Sequence, residues 1–153
     1  MSRKLTALLL AILMLPFSAM NVVAVGEPDL WINEISFSDN SPTGGDTVTI
    51  TAEVANDGGD SGVVSVTTNV TFYWDNNYIG TDMITIPGDS TADAEIDWEA
   101  VGGTHTIKVI VDEENAIEES DEDNNEEEED INVNYPPILF VDDDDSENNG
   151  GFS

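Results

Sequence analysis

Apolar residues recur at every second position through much of this chain. Between positions 47 and 54 the apolar residues Val48, Ile50, Ala52 and Val54 alternate with polar ones. Successive side chains of a β-strand point to opposite faces, so a period of two predicts strands with one buried face. No stretch beyond residue 28 has the period of a helix. The pattern therefore predicts an all-β domain.

The alternation recurs in seven short segments separated by turn-forming residues, at a spacing of roughly 8–12 residues. This spacing predicts a seven-stranded antiparallel sandwich. The phase changes near Asn33, which predicts a β-bulge. Thr49 falls on the outer phase. We expect the following residues to point between the sheets: Ile50, Val54, Phe72, Ile96, Trp98, Ile107 and Val109.

The first 24 residues have the pattern of a secretory signal peptide. Arg3 and Lys4 precede an apolar run, 5–15, that is too short for a transmembrane helix of about 20 residues. Ala24 ends the pattern, so we expect cleavage there and a mature chain that begins at Val25. An uncleaved N-terminal anchor is the alternative. Residues 25–28 then form a linker to the sandwich.

Charge excludes several classes of partner. The chain has 33 Asp and Glu residues against three Lys and Arg, a net charge of −30, and it contains no cysteine. Nucleic acids and anionic membranes need a basic surface, so neither is expected as a partner. Self-repulsion is screened at high salt, which suggests a saline habitat. Cysteine-based metal or thiol chemistry is excluded.

An acidic connection, Val111 to Asn125, lies between two of the predicted strands. One apolar residue, Ile117, interrupts it, and we expect that side chain to plug the edge of the core. Calcium binds six to eight carboxylate, amide and carbonyl oxygens. The spacing does not match an EF-hand, because Glu126 stands where glycine is required. Two interpretations stay open: a solvated acidic loop, or a calcium site formed by Asp112, Asn115, Glu119, Asp121 and Asp123.

The chain resembles the CARDB family, the cell-adhesion-related domain of bacteria and archaea. The matching motifs are Pro28-Asp29-Leu30, Gly45-Asp46, the run 54–58 (Val-Ala-Asn-Asp-Gly) and a later signature from Gly103 to Asn125. The resemblance covers about 28–134, and we place the domain at 29–134. It implies an immunoglobulin-like or fibronectin-III-like sandwich that is extracellular and non-catalytic.

Three further features concern ligands or chemistry. The sequon Asn69-Val70-Thr71 makes Asn69 a candidate for N-glycosylation, although a chance sequon in a threonine-rich strand is the alternative. Trp31, Tyr73 and Tyr78 could form an outward platform for sugars, or could simply pack across strands. The single histidine, His105, is expected to bond local backbone at a strand end rather than to act as a base.

Beyond the sandwich, residues 135–153 begin with a Tyr-Pro-Pro linker. The apolar run 138–141 and the aspartates that follow indicate either an acidic tail or the truncated start of a further domain.

The sequence as a whole predicts an exported, non-catalytic module for adhesion, assembly or spacing at the cell surface. Its expected partners are surface proteins, glycans or neighbouring domains, and no cofactor other than calcium is expected. The alternative is an accessory module of a secreted peptidase or other hydrolase whose catalytic domain lies outside this chain.

Overall fold

The computed structural model describes residues 26–58 and 64–138 and folds them into β-strands and connections. The strands are β1 Asp29–Phe37, β2 Thr47–Asp57, β3 Val66–Trp74, β4 Asn77–Ile86, β5 Ser90–Glu99, β6 Gly103–Val111 and β7 Glu126–Val133. The predicted signal peptide and the tail after residue 138 lie outside the described residues. Within the described stretches, no helix is long and apolar enough to cross a membrane.

The strands form two antiparallel sheets. The first has the order β1-β2-β5 and the second the order β4-β3-β6-β7. Each sheet has an apolar inner face, and the two faces pack together as a sandwich. The predicted seven-stranded immunoglobulin-like architecture is confirmed.

Local sequence explains the tightest turn and the one bulge that the sequence predicted. Trp74 pairs with Asn77 across a two-residue turn, in which Asp75 and Asn76 have φ values of 45° and 64°. Aspartate and asparagine tolerate positive φ better than other side chains, and two such residues suit the tight turn of a hairpin. The register of β1 against β2 shifts between Ile32 and Glu34, which places the bulge at Asn33 as predicted.

The core contains the inward phase of every strand. Of the seven residues predicted to point between the sheets, six are buried, and Phe72 is completely enclosed. Ile96 differs, because it is only half-buried and packs against the margin of the core. It lies on the edge strand β5, beside Gly80 of β4, where a Cβ atom would stand 2.9 Å from the Ile96 Cδ1 atom. The alternation placed Ile96 on the correct face but could not identify β5 as an edge strand.

The two margins of the sandwich differ. At the β4–β5 margin the sheets lie close together, and Asp82 of β4 accepts a hydrogen bond from the Glu95 backbone N–H of β5 (3.0 Å). At the β1–β7 margin an open groove of about 720 Å³ separates the sheets, and it is lined largely by acidic side chains. The sandwich is therefore closed along one margin and open along the other.

Candidate functional site

The part of the acidic connection that follows β6, residues 112–125, is an ordered segment that covers one end of the sandwich. Its two ends are joined by the Val111 N–H, which donates to the Asn125 carbonyl (2.9 Å). In the middle, the Ser120 N–H donates to the Pro28 carbonyl just before β1 (2.9 Å). Ile117 is half-buried against the core, as the sequence predicted. The connection thus ties the second sheet to the start of the first.

Asp112 anchors the first turn of this connection. The side chain is 4% exposed and the backbone has a φ of 48°. One carboxylate oxygen accepts from the Thr68 hydroxyl (3.1 Å), and the other accepts from the Ile117 N–H (2.8 Å). A buried carboxylate needs such donors, since an unpaired buried charge is strongly unfavourable. Asp112 therefore fixes the loop that positions Ile117.

Glu119 performs a similar role at the other sheet. It is 7% exposed, and its Oε2 atom accepts from the Leu30 N–H at the start of β1 (2.5 Å). Its Oε1 atom accepts from the Asn125 side-chain amide (3.0 Å). Burial raises the pKa of Glu119 to about 7, and the two hydrogen bonds oppose that rise only in part. This carboxyl group thus titrates near neutral pH while it holds β1.

The remaining predicted calcium ligands lie on the surface. Asn115, Asp121 and Asp123 are exposed, and the Asp121 carboxylate accepts from the Asp123 N–H in a local turn (3.0 Å). Asp112, Asn115 and Asp123 line one open cleft of about 430 Å³, whereas Glu119 and Asp121 do not. Across 26–58 and 64–138, no three His, Asp or Glu side chains are grouped in a way that could hold a metal ion. Calcium binding by the five residues stays a prediction.

Sequence reasoning missed the structural role of three asparagines. Asn56 is fully buried at the end of β2, where its amide donates to the carbonyls of Val64 and Ile86. The amide of Asn124 donates to the Asp29 carboxylate (2.8 Å), and that of Asn125 donates to Glu119. In the sequence they stood out only as members of the run 54–58 and of the later signature. That membership is the signal that could have identified them.

His105 bonds the local backbone, as predicted. Its Nε2 atom lies 2.8 Å from the Val101 carbonyl oxygen, and its Nδ1 atom lies 2.6 Å from the Asp75 carboxylate. The ring also packs edge-on against Trp74 and Trp98. The hydrogen bond from His105, together with one from the Thr106 N–H, lowers the pKa of Asp75. Both ring nitrogens are therefore engaged within the protein.

The predicted platform of three aromatic residues does not form. Tyr73 and Tyr78 lie side by side on the outer face of the second sheet, with ring centroids 5.9 Å apart. Trp31 is on β1 in the other sheet, where it lines the groove at the open margin. Of the two interpretations left open, packing across strands holds for the tyrosine pair, and a platform that includes Trp31 is not formed. Outward phase alone does not say which sheet a strand joins. Asn69 is exposed on the same outer face as the two tyrosines.

Solved structures provide close matches to this fold. A CARDB domain from Pyrococcus furiosus, described in complex with di-metal ions, matches with a TM-score of 0.63 at 24% identity, over 72% of this chain and 97% of that one. A domain of a Methanosarcina acetivorans protein, whose name assigns it to the cell surface, matches with a TM-score of 0.58 at 24% identity, over 70% and 92%. These likenesses concern the fold.

A larger protein contains a similar unit. A Paenibacillus cycloisomaltooligosaccharide glucanotransferase, complexed with cycloisomaltoheptaose, matches with a TM-score of 0.50 at 21% identity, over 68% of this chain but only 14% of that one. No curated protein matches the sequence. The CARDB family model matches residues 27–129, which is more than half of the chain. The resemblance seen in the sequence is confirmed, and the chain belongs to the CARDB family.

Proposed function

We propose that this chain is an exported, non-catalytic module that acts at the cell surface in adhesion, assembly or spacing. The observation that carries the proposal is the position of the two points where the chain enters and leaves the sandwich. Residue 29 begins β1 at the end covered by the acidic connection, and β7 runs from that end to the opposite one. Eight residues of β7 at about 3.3 Å each separate the two points by roughly 26 Å.

Both points are fastened to the body of the sandwich. At the first, the Leu30 N–H bonds to Glu119 and the Pro28 carbonyl accepts from Ser120. At the second, Asn134 donates from its backbone N–H to the Pro42 carbonyl (2.7 Å), and its carbonyl accepts from Gly44 (2.8 Å). A module held in this way keeps neighbouring segments at a fixed separation, which suits spacing and assembly.

Composition supports a surface role. A net charge of −30 on 153 residues gives a protein that stays soluble in salt and repels anionic surfaces. The cell-surface assignment in the name of the Methanosarcina acetivorans relative agrees with this role. We therefore expect partners to be proteins or neutral glycans of the cell surface.

A bound cation would be an accessory to this role. The Pyrococcus furiosus relative is described in complex with di-metal ions. In this chain, Asp112, Asn115 and Asp123 share a cleft whose oxygens suit calcium in type. Both oxygens of Asp112 already accept hydrogen bonds within the protein, so we expect weak binding that acts mainly by screening.

Location and adhesion can be tested on intact source cells with an antibody raised against residues 26–138. We expect labelling of intact cells and binding of protein-coated beads to those cells. Beads coated with the Phe72→Ala variant serve as the control, because we expect loss of this completely buried ring to weaken the fold. Labelling that appears only after permeabilisation would overturn the surface role. Surface labelling without bead binding would leave spacing as the function and reject adhesion.

The alternative is an accessory module of a secreted hydrolase, and the glucanotransferase match supports only its coarser form, a module within a larger enzyme, since a glucanotransferase is a transferase. That enzyme carries a unit of this fold as a small part of a much longer chain. Co-purification from culture medium distinguishes the two functions. Hydrolase activity that follows the antibody-captured protein through two columns would favour the accessory role, and its absence favours the surface module.

A further inference from the structure

The outer face of the second sheet carries two large, exposed apolar side chains. Tyr78 is 61% exposed and Met83 is 70% exposed, both on the edge strand β4. Asn69 of β3 is the direct cross-strand partner of Met83, on the same outer face. Directly opposed side chains in an antiparallel pair have Cβ atoms about 4.5–5.5 Å apart. The Asn69 side chain therefore stands next to this apolar surface.

A groove runs along this face from Asn69 to the two tyrosines. It has a volume of about 410 Å³, and its far wall is the first part of the acidic connection, including Ala116 and Ile117. The Tyr73 and Tyr78 rings meet edge to face at an angle of 68°. Tyr73 donates its hydroxyl to Glu113 (2.8 Å), and the Tyr78 hydroxyl lies 3.1 Å from that of Thr81. Both rings are thus held in place before any ligand arrives.

The chemistry of the groove suits a neutral saccharide. Sugars have apolar C–H faces and polar edges, and fixed tyrosine rings flanked by hydroxyl groups offer the same combination. Glu113 and Glu114 in the wall would repel an anionic ligand. A second copy of this chain is disfavoured for the same reason, since each copy carries a net charge of −30.

We propose that Asn69 carries an N-linked oligosaccharide whose first sugars lie in this groove, over Met83 and the rings of Tyr78 and Tyr73. Two independent observations converge on it: Asn69-Val70-Thr71 is a glycosylation sequon, and its asparagine stands opposite the exposed Met83 in the groove that leads to the two tyrosines. Tyr73 lies four residues along β3, about 13 Å at 3.3 Å per residue, so the second or third sugar reaches the rings. The proposal rests on the export of the chain.

The modification is a transfer from a lipid-linked donor by a host oligosaccharyltransferase. A bond forms between the Asn69 amide nitrogen and C1 of the first sugar, and the bond from C1 to the phosphate oxygen of the donor breaks. The phosphorylated lipid leaves, and it receives the proton lost from the amide. No residue of this chain takes part as a catalyst. The chain supplies only the acceptor asparagine and the groove that binds the first sugars.

The first test is the mass of the Asn69 peptide in protein recovered from the surface of source cells. We expect the unmodified mass plus a series of sugar increments, and complete loss of the increments in Asn69→Gln. Asn40→Gln, an exposed asparagine outside any sequon, is the matched control and should keep the glycan. Thr71→Ser preserves the sequon and should also keep it.

The outcomes of this test separate the glycan from the proposed function. Surface protein with a bare Asn69 would overturn the glycan and leave the surface module intact. Protein confined to the cytoplasm with a bare Asn69 would overturn both. Bare protein that binds a free neutral oligosaccharide, such as cellohexaose, in a Tyr78-dependent manner would assign the groove to a partner's saccharide and overturn the proposal.

The second test asks whether the inner sugars lie in the groove against the tyrosine rings. In NMR spectra of the glycosylated protein, we expect ring-current upfield shifts for protons of the inner sugars, and loss of those shifts in Tyr78→Ala. The glycan itself should remain in Tyr78→Ala, because the sequon is unchanged. Inner-sugar shifts equal to those of the released glycan would show that the glycan extends into solvent. That result would overturn the proposed position of the sugars in the groove.

Discussion

Two neighbouring acidic regions use their carboxylates in opposite ways. In the connection 112–125, Asp112 and Glu119 are buried and accept backbone hydrogen bonds from Ile117 and Leu30. In the first part of β7, positions 126–130, all five acids are exposed on an edge strand. Exposed charge on an edge strand discourages pairing with another chain. The role of each acid therefore depends on whether its side chain is buried against a backbone N–H, and composition does not reveal that.

A substitution in the core sets the scale for this comparison and should have the largest effect. Phe72 is completely buried, so Phe72→Ala should lower the free energy of unfolding by roughly 3–5 kcal/mol. Thr49→Ala, on the outer face, should lower it by less than about 1 kcal/mol. Urea unfolding measures both, and equal losses would contradict the assignment of inner and outer faces.

The comparison itself is tested by removing one acid from each region. Asp112→Ala leaves the Thr68 hydroxyl and the Ile117 N–H without their acceptor, and should lower the free energy of unfolding by about 1–3 kcal/mol. Glu128→Gln, in the exposed run, should change it by less than about 0.5 kcal/mol. If urea unfolding shows losses below about 0.5 kcal/mol for both variants, both regions are merely solvated. Asp112→Asn retains an acceptor oxygen and should fall between the two.

A pH titration sharpens the role of Glu119. Its pKa is about 7 in the folded protein against 4.5 as a model value, so the folded state holds the proton more tightly. The stability contributed by protonation is fully present below pH 4.5 and is lost as the pH rises through about 7. Glu119→Gln cannot titrate, so its stability should vary less than that of the parent between pH 5 and 8. If the melting temperatures of the parent and of Glu119→Gln change with pH in parallel, the raised pKa of Glu119 is contradicted.

Calcium should have the smallest effect. Because the buried carboxylates of the connection already have donors, we expect calcium to raise the melting temperature no more than sodium chloride at matched ionic strength. A tight site at about 100 times its Kd would instead add roughly 2.7 kcal/mol. That corresponds to on the order of 10–20 °C for a domain of this size. A calcium-specific rise in melting temperature that Asp123→Asn abolishes would contradict this expectation and support the calcium site predicted from the sequence.

The fold was predictable because half-buried strands require alternation, and the chain alternates clearly in β2 and β6. Ile117 and His105 were also predictable, the first as a lone apolar residue in an acidic run. The sheet that each strand joins was not predictable, so the sequence did not show that Trp31 lies on the other sheet from the two tyrosines, or that Ile96 lies on an edge strand. Local pattern carries no information on pairing between distant strands.

The anchoring residues of the connection could not be predicted from local sequence. Glu119 and its neighbour Glu118 are identical in type, yet only Glu119 is buried, where it accepts a hydrogen bond from Leu30. Leu30 lies 89 residues away, so the local sequence does not show this contact. In an irregular segment no period distinguishes inward from outward side chains. The oxygens proposed for calcium in Asp112 and Glu119 already accept hydrogen bonds within the protein, and two of those bonds come from residues far away in the sequence, Thr68 and Leu30.

The assignment of the first and last strands to different sheets has a mechanical consequence. A stretching force applied through residues 28 and 134 pulls β1 and β7 along their own axes in opposite directions. Hydrogen bonds of antiparallel ladders lie perpendicular to the strands, so this force loads all the bonds of a ladder at once. The β1–β2 and β6–β7 ladders each span eight residue pairs, and the Thr43–Asn134 bridge adds a further bond at the exit. The domain is therefore built to yield abruptly under shear rather than to unzip strand by strand.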